Sequence, residues 1–501
     1  MWIHFSDAAK FADIARNIIQ LRQYVSNFGF WGGNSIAMAI QPVMPLSIAA
    51  FFKILGVSDF AVIATSFLYF LLTLVFVYLL AKKVFGSNLV AWLSTIAVGS
   101  NYDLIHYSTS GASESPFIFE IVAATYFVSL NKKWGTVLGL VFLVLMNFTR
   151  PQAIIYILGL VIYYLFLNLH WKKATLYSLG TLVLGALAYF FFSRQGAIAI
   201  SQNLPGVAVS DSLRGGVQSV RFLTLFKKVF YNLYNFYKLL PQIMSPYLFT
   251  LFVIGIFKWG GEKVQDSFKV ASIFMVLATF LVTALSIPFF RYIHPIIPLV
   301  YVIAVGTLVG IISKFELLNS KQIPNSKAQF LNRHFTVIVS TFLILLFGVG
   351  QTLGVLVLDS RFERNTHNVG KPPVYVQLSY LLRDNTSKDQ VIITNLDTWG
   401  SWYGERKTVW FPLTPKQLID PATGKIPFDA IYLTSYLIDD ENYYMGPDWR
   451  LIFNNPSDPK KWTCEGCGEI ADEFTLKGVY QVSSSENYER QEASAIFLIK
   501  K

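Results

Sequence analysis

The chain has 501 residues, 53% hydrophobic, 16% aromatic and only 14% charged, with a mean hydropathy of +0.47. No water-soluble domain of this length carries that profile on its surface. Two cysteines, Cys464 and Cys467, exclude a disulfide scaffold, and sparse, scattered charge excludes a disordered or nucleic-acid-coating chain, so the net charge of +11 matters through its placement among loops.

In chain order, residues 5 to 25 place Ala8, Phe11, Ile14, Ala15, Ile18, Leu21 and Val25 largely on one side of a helix, with Lys10, Asp13 and Arg16 elsewhere. That pattern predicts a helix lying along a membrane surface. After a glycine-rich break at Phe30 to Asn34, the segment around Pro45 predicts a second short amphipathic helix. The opening MWIHFSDAAK lacks the basic-then-apolar order of a signal peptide, and an inserted helix is expected upstream of it.

Ten apolar stretches follow, near 60–81, 88–104, 116–131, 134–149, 152–169, 174–193, 246–257, 270–290, 293–313 and 335–358. Alternate loops are basic. They hold Lys82 and Lys83, Lys132 and Lys133, Lys172 and Lys173, then Lys258, Lys263 and Lys269, then Lys314, Lys321, Lys327 and Arg333. Cationic short loops stay in the cytoplasm, which puts residues 1–59, the loops near 105–115 and 194–245, the turns at Arg150 and Arg291, and everything after 358 outside. The basic loop 194–245 runs against this pattern, but long loops obey the charge rule less strictly. Within it, Arg221 to Leu240 mixes aromatics with lysines. Two readings stand for that stretch: a re-entrant or interfacial spacer, or a rim in which Arg221, Lys227 and Lys228 meet a lipid phosphate.

Beyond Leu358 the composition turns polar. Period-two runs predict strands at 390–395, 408–412, 429–435, 450–453 and 495–500, and helical spacing marks 373–385 and 414–420. Roughly 140 residues suffice for an α/β domain with its own core. The expected architecture is therefore a polytopic α-helical membrane protein with a C-terminal extracytoplasmic α/β domain. It divides into an outer-face segment at 1–59 with two surface helices, a transmembrane domain of about ten helices at 60–358, and a soluble domain at 359–501. No glycine-rich nucleotide fingerprint and no internal repeat is present.

Ionisable residues near membrane depth are costly and therefore informative. Asp7 opens the first helix, where it either offsets the helix dipole or does chemistry. Glu114, just before Pro116, has the same two readings, the functional one being a second carboxylate facing Asp7. Arg150 and Arg291 sit at turns on the same side, either as helix-end anchors or as part of a phosphate pocket. His294 reads as a satisfied interfacial histidine. The CEGC run at Cys464 to Cys467 lacks the setting of a redox motif and two further zinc ligands, which leaves a local disulfide closing a surface turn.

The succession of an acidic residue on an outer helix, a PVMPL segment, an SE loop, a TRP turn, an RYxxPxxP span start and a trailing α/β domain resembles the GT-C superfold of polyprenyl-phosphate-dependent glycosyltransferases. It is most similar to bacterial relatives of the protein mannosyltransferases and to the lipid A aminoarabinose transferases. The resemblance implies that Asp7 is the catalytic base or orients the acceptor, and that Glu114 is the acidic residue of the later outer loop. It likewise implies that Arg150 belongs to the Arg-Pro turn and that Arg291 with Tyr292 lies near the donor phosphate. The chain departs from that pattern where the family has a leading span and often an acidic pair in the first loop, since Asp7 is followed by Ala8.

The expected activity is inverting transfer of a sugar from a polyprenyl-phosphate donor to an acceptor hydroxyl at the outer leaflet of a bacterial or archaeal plasma membrane, in cell-envelope glycan synthesis. The acceptor is a protein, a lipid or a polysaccharide, and no nucleic acid is involved. A carboxylate takes the hydroxyl proton while cations stabilise the departing phosphate. A single displacement inverts the anomeric carbon. No metal-ligand cluster is present in the sequence and no cofactor is required, although a divalent cation is compatible. The rival readings are a membrane transporter or flippase, and a polymerase or ligase of polyprenyl-linked glycans.

Overall fold

The computed structural model describes residues 2–3, 5–31, 41–192, 222–286, 288–320, 326–358, 372–419, 426–440, 443–485 and 490–501. Of the positions named above, Arg221 and Lys321 lie outside the described residues, as does the part of the 194–245 loop before residue 222. Two compact units emerge, one from the described residues of 1–65 and 363–501, the other from those of 66–200 and 222–362.

The first unit is built on a six-stranded sheet. Its strands are β1 (Phe28–Phe30), β2 (Val391–Thr394), β3 (Lys407–Trp410), β4 (Ala430–Thr434), β5 (Phe474–Ser485) and β6 (Arg490–Lys500), in the order β1-β3-β2-β4-β6-β5. The first four are parallel and the last two pairings are antiparallel. Strand β1 pairs Phe28 with Thr408 and Phe30 with Trp410. The N-terminal segment and the tail thus share one sheet, whereas the sequence reading kept them as separate parts.

Helix α1 (Ser6–Leu21) ends where Arg22 adopts a left-handed conformation at φ 56°. It differs from the predicted surface helix because its charged side is buried along with its alanine side. Ala8, Ala9, Ala12 and Ala15 join a core with Met44, Ile48 and Phe52 of α2 (Val43–Leu55) and with Trp399 and Trp402 of the tail. Asp13, fully buried, receives Arg16 at 2.7 Å, the Asn27 backbone N–H at 2.6 Å and the Asn27 amide at 3.0 Å. Arg16 in turn donates to the carbonyls of Ser401 and Trp402 at 2.8 and 2.9 Å. A buried charge survives only when paired and hydrogen-bonded. These partners come from the tail and from the loop after α1, which a helical period does not reveal.

The predicted strands at 390–395, 408–412, 429–435 and 495–500 are β2, β3, β4 and β6. The run at 450–453 is instead part of a helix, Pro447–Asn454, with proline in its first turn and Trp449 and Ile452 buried three residues apart. Strand β5 was not anticipated. Cys464 and Cys467 form the local disulfide, with Cα atoms 5.3 Å apart. Between them Gly466 has φ 82°, and a Cβ there would come within 2.6 Å of the Lys416 Cα, so glycine is required.

The second unit is helical. Each of the ten apolar stretches is helical over most of its length, as α3 (Asp59–Phe85), α4 (Asn88–Gly99) with α5 (Tyr102–Ser108), α6 (Glu114–Ser129), α7 (Lys133–Thr149), α8 (Ala153–Asn168), α9 (Trp171–Phe192), α10 (Pro246–Ile256), α11 (Lys263–Leu285), α12 (Ile297–Ser320) and α13 (Ser326–Ile344). The stretch near 88–104 is broken because Asn101 caps a new helix, accepting from the Leu104 N–H at 3.1 Å. Among the described residues, four helical segments have the length and apolarity to cross a membrane: Asp59–Phe85, Lys263–Leu285, Phe290–Lys314 and Phe335–Gly354. The other apolar helices are shorter. Helix α6 is the most enclosed of the unit's core helices, with 14 of its 16 residues buried.

The basic aromatic stretch forms a helix, Phe222–Lys238. Lys227 is exposed. Lys228 is buried and donates to the Ser286 carbonyl at 2.9 Å, and Asn232 donates to the Ala284 carbonyl at 2.8 Å. Both satisfy carbonyls at the C-terminal end of α11, where the helix has no donors of its own. Lys228 therefore pins this helix to the end of α11.

Candidate functional site

In the second unit, three chain turns converge on the N-terminus of α6. Glu114 occupies its first turn and is 2% exposed. The α7–α8 turn supplies Arg150, in extended conformation, whose Nη1 lies 2.5 Å from Glu114 Oε1 and 3.4 Å from Ser113 Oγ. Two short 3-10 turns, Phe290–Tyr292 and His294–Ile296, lead into α12. They bring Arg291 Nε to 3.9 Å from the same carboxylate oxygen. The Tyr292 ring lies against both guanidiniums, each 5.3 Å from its centroid. Glu114, Arg150, Arg291 and Tyr292, chosen from sequence, are thus one cluster.

Both arginines approach the one buried carboxylate of Glu114, and Arg291 is the more open of the two, with 27% of its side chain exposed. Guanidiniums beside a partly open edge suit an anionic group with several acceptor oxygens.

Two neighbouring features escaped the sequence reading. His294, expected only as a satisfied interfacial residue, has Nδ1 2.5 Å from the Tyr107 hydroxyl and Nε2 3.7 Å from Asp103 Oδ2, which joins α5 to the turn that carries Arg291. Glu120 lies within α6, 1% exposed, and accepts from the Thr149 hydroxyl at 2.8 Å. Its other oxygen has no hydrogen-bond partner among the described residues. A lone carboxylate within the apolar run PFIFEIVAATYF was the available signal. Through Glu114–Arg150 and Glu120–Thr149, α6 grips two successive residues of the Arg-Pro turn.

Asp7 belongs to the first unit. It lies partly buried in the first turn of α1, within electrostatic reach of Lys10 and of Asp397. Asp397 stands three residues past the end of β2, with φ 57°, and accepts from the Tyr443 hydroxyl at 2.9 Å and from the Thr398 N–H at 2.7 Å. Thr398 also donates to the Ser6 carbonyl at 2.5 Å, which fixes the start of α1 at this strand end. Burial raises the Asp397 carboxyl above its usual 3.8, against the lowering effect of these hydrogen bonds, and pushes the Tyr443 hydroxyl well above 10. Among the described residues, no group of three or more His, Cys, Asp or Glu side chains is arranged to hold a metal ion.

Residues 40–193 match the sequence model of the dolichyl-phosphate-mannose-protein mannosyltransferase family. The crystal structure of ArnT from Cupriavidus metallidurans bound to undecaprenyl phosphate superposes with a TM-score of 0.51 at 13% identity, covering 98% of this chain and 93% of that one. The apo oligosaccharyltransferase of Archaeoglobus fulgidus gives a TM-score of 0.56 at 11% identity, covering 98% of this chain and 71% of that one. The same enzyme in complex with zinc and sulfate gives 0.52 at 12% identity, over 97% and 69%. No curated protein matches the chain in sequence.

The chain shares the fold of these solved structures, apolar helices with a sheet-containing tail, in agreement with the architecture expected from sequence. Its apolar helices make the chain an integral membrane protein.

Proposed function

We propose that this protein is a glycosyltransferase that moves a sugar from a polyprenyl-phosphate donor to an acceptor hydroxyl at the outer leaflet, with inversion. The observation that carries the reading is the convergence of Arg150 and Arg291 on Glu114 and Tyr292. In it, Glu114 holds Arg150, while Arg291 with Tyr292 faces the donor phosphate and stabilises the charge that grows as the sugar–oxygen bond breaks. Asp7 is the base that takes the acceptor proton. The acceptor oxygen bonds to the anomeric carbon as the phosphate leaves from the opposite face, so the products are the glycoside and the free polyprenyl phosphate.

Support comes from the GT-C fold, from the undecaprenyl phosphate held by ArnT, and from the mannosyltransferase match over residues 40–193. The outer-face orientation is supported by the alternation of basic loops and by the disulfide in the tail, a bond that persists in oxidising compartments.

The test is sugar transfer in membranes from a panel of radiolabelled undecaprenyl-phosphate hexoses and pentoses, comparing the natural protein with Asp7→Asn. Transfer by the natural protein and its loss in the variant are expected. Full transfer by Asp7→Asn removes Asp7 as the base.

A further inference from the structure

We propose that His294, held by Tyr107 and Asp103, is a positioning residue that fixes the direction of Arg291 towards the donor phosphate. This rests on the reading of Arg291 as a phosphate ligand.

His294 follows Arg291 by three residues along the turns Phe290–Tyr292 and His294–Ile296, and Ile293 between them keeps a right-handed helical conformation. The Ile293 N–H donates to the Phe290 carbonyl at 2.8 Å and the Ile296 N–H to the Ile293 carbonyl at 3.1 Å, the pattern of a tight 3-10 run. At about three residues per turn, side chains three apart lie on the same side. What holds the His294 ring therefore sets the side on which Arg291 emerges.

The ring is 2% exposed and takes its hydrogen bonds from the protein. Its partners come from α5. Nδ1 lies 2.5 Å from the Tyr107 hydroxyl and Nε2 lies 3.7 Å from Asp103 Oδ2. Tyr107 and Asp103 are four residues apart, on one face of α5. Burial raises the Tyr107 hydroxyl well above 10, with Glu114 and Asp103 adding to the effect and Arg291 and Arg150 opposing it. The phenol keeps its proton and donates it to Nδ1. The imidazole proton then sits on Nε2, where it faces a carboxylate, so one neutral tautomer fits both neighbours.

Helix α5 is itself anchored. Asn101 accepts from the Leu104 N–H at 3.1 Å and donates to the Tyr301 hydroxyl of α12 at 3.4 Å. At the other end, Ser66 of α3 donates to the Ser108 carbonyl at 2.8 Å and accepts from the Gly111 N–H at 3.2 Å. The chain then reaches Glu114 through the short loop 109–113. One segment thus carries both the pair that holds His294 and the carboxylate that Arg291 approaches. The 3.9 Å between Arg291 Nε and Glu114 Oε1 is longer than a hydrogen bond, and the His294 contacts tie the same turn to the same segment three residues further on.

The test is equilibrium binding of labelled undecaprenyl-phosphate sugars from the panel to the purified full-length protein, with His294→Leu and Tyr107→Phe each made alone and together with Arg291→Ala. His294→Leu is expected to weaken donor binding roughly tenfold, the effect of one lost buried hydrogen bond. Tyr107→Phe keeps the ring and its packing while removing the hydroxyl, and is expected to weaken binding in the same direction. With Arg291→Ala already present, neither change is expected to shift affinity by more than about twofold, because the group through which both act is gone.

A histidine that only supports the fold would cost the same affinity with or without Arg291. Equal losses in the two backgrounds, or unchanged affinity in His294→Leu and Tyr107→Phe, would overturn the inference. Thermal unfolding identifies a variant that has lost its fold, and Tyr107→Phe carries the comparison if His294→Leu is such a variant. If no sugar of the panel binds the natural protein, or Arg291→Ala binds it unchanged, the phosphate reading of Arg291 has failed. If Arg291→Ala weakens binding while the His294 and Tyr107 variants do not, only the role of His294 has failed.

Discussion

Arg150 Nη1 stands 2.5 Å from Glu114 Oε1 with both side chains almost wholly buried, the guanidinium 8% and the carboxylate 2% exposed. Removing one member of such a pair leaves an uncompensated charge in a low-dielectric interior. Glu114→Ala and Arg150→Ala are each expected to lower folding stability by about 3–5 kcal/mol. The double change Glu114→Gln with Arg150→Met is expected to cost less than the two single losses together, as read by unfolding in detergent. Strict additivity would show that the contact carries no coupling.

Fold stability, and not donor binding, separates the two arginines. Arg291 pairs with Glu114 only at 3.9 Å and is the more exposed, so Arg291→Ala should leave the fold intact while weakening binding of an undecaprenyl-phosphate sugar. The expected loss is about 1.5–3 kcal/mol, the range for a hydrogen bond to a charged group, and Arg150→Ala should lose a similar amount of donor affinity. Titration of the labelled donor against purified protein reads this directly. Unchanged affinity in Arg291→Ala would return that side chain to a helix-end anchor.

Much of this cluster was legible because arginine and glutamate at the ends of apolar runs are expensive to place and few in number. Glu114 begins a helix, Arg150 follows the end of one and Arg291 lies in the short turns that lead into another, and residues at such junctions have few places to go. The tail strands β2, β3 and β4 were equally readable from their Val, Ile and Thr content. The run Arg450 to Phe453 was not, because four apolar-rich residues fit either period, and burial of Trp449 and Ile452 decides for the helix. Strand β1 is three residues long and pairs with Thr408 to Trp410 at the other end of the sequence. No local pattern encodes such a partner. For the same reason α1 looked amphipathic, since the groups that satisfy Asp13 and Arg16 lie outside the helix.

Glu120 offers a sharper test of the grip on the Arg-Pro turn. Gln at this position keeps an acceptor for the Thr149 hydroxyl, so Glu120→Gln is expected to bind donor as the natural protein does. Glu120→Leu removes that acceptor, although Thr149 retains its bond to the Leu145 carbonyl at 2.9 Å. The expected loss is about 1 kcal/mol in donor affinity, the net worth of one hydrogen bond that holds Arg150 in place. Equal affinity in both variants would show that Glu114 alone positions the turn.

Asp13 carries a pH signature in stability. Its burial raises the carboxyl above 3.8, outweighing the lowering effects of Arg16 and Asn27. An acid whose folded value lies above its unfolded one binds more protons when folded throughout the window between the two. Stability therefore rises as pH falls through that window and declines as the group ionises on the alkaline side. Asp13→Asn lacks this dependence. The melting temperature of the natural protein relative to Asp13→Asn should increase as the pH is lowered from neutrality towards 4, measured in detergent at constant ionic strength. A constant difference would mean that Asp13 has the same proton affinity in both states. A shrinking difference would mean that Arg16 and Asn27 hold its charge more strongly than burial opposes it.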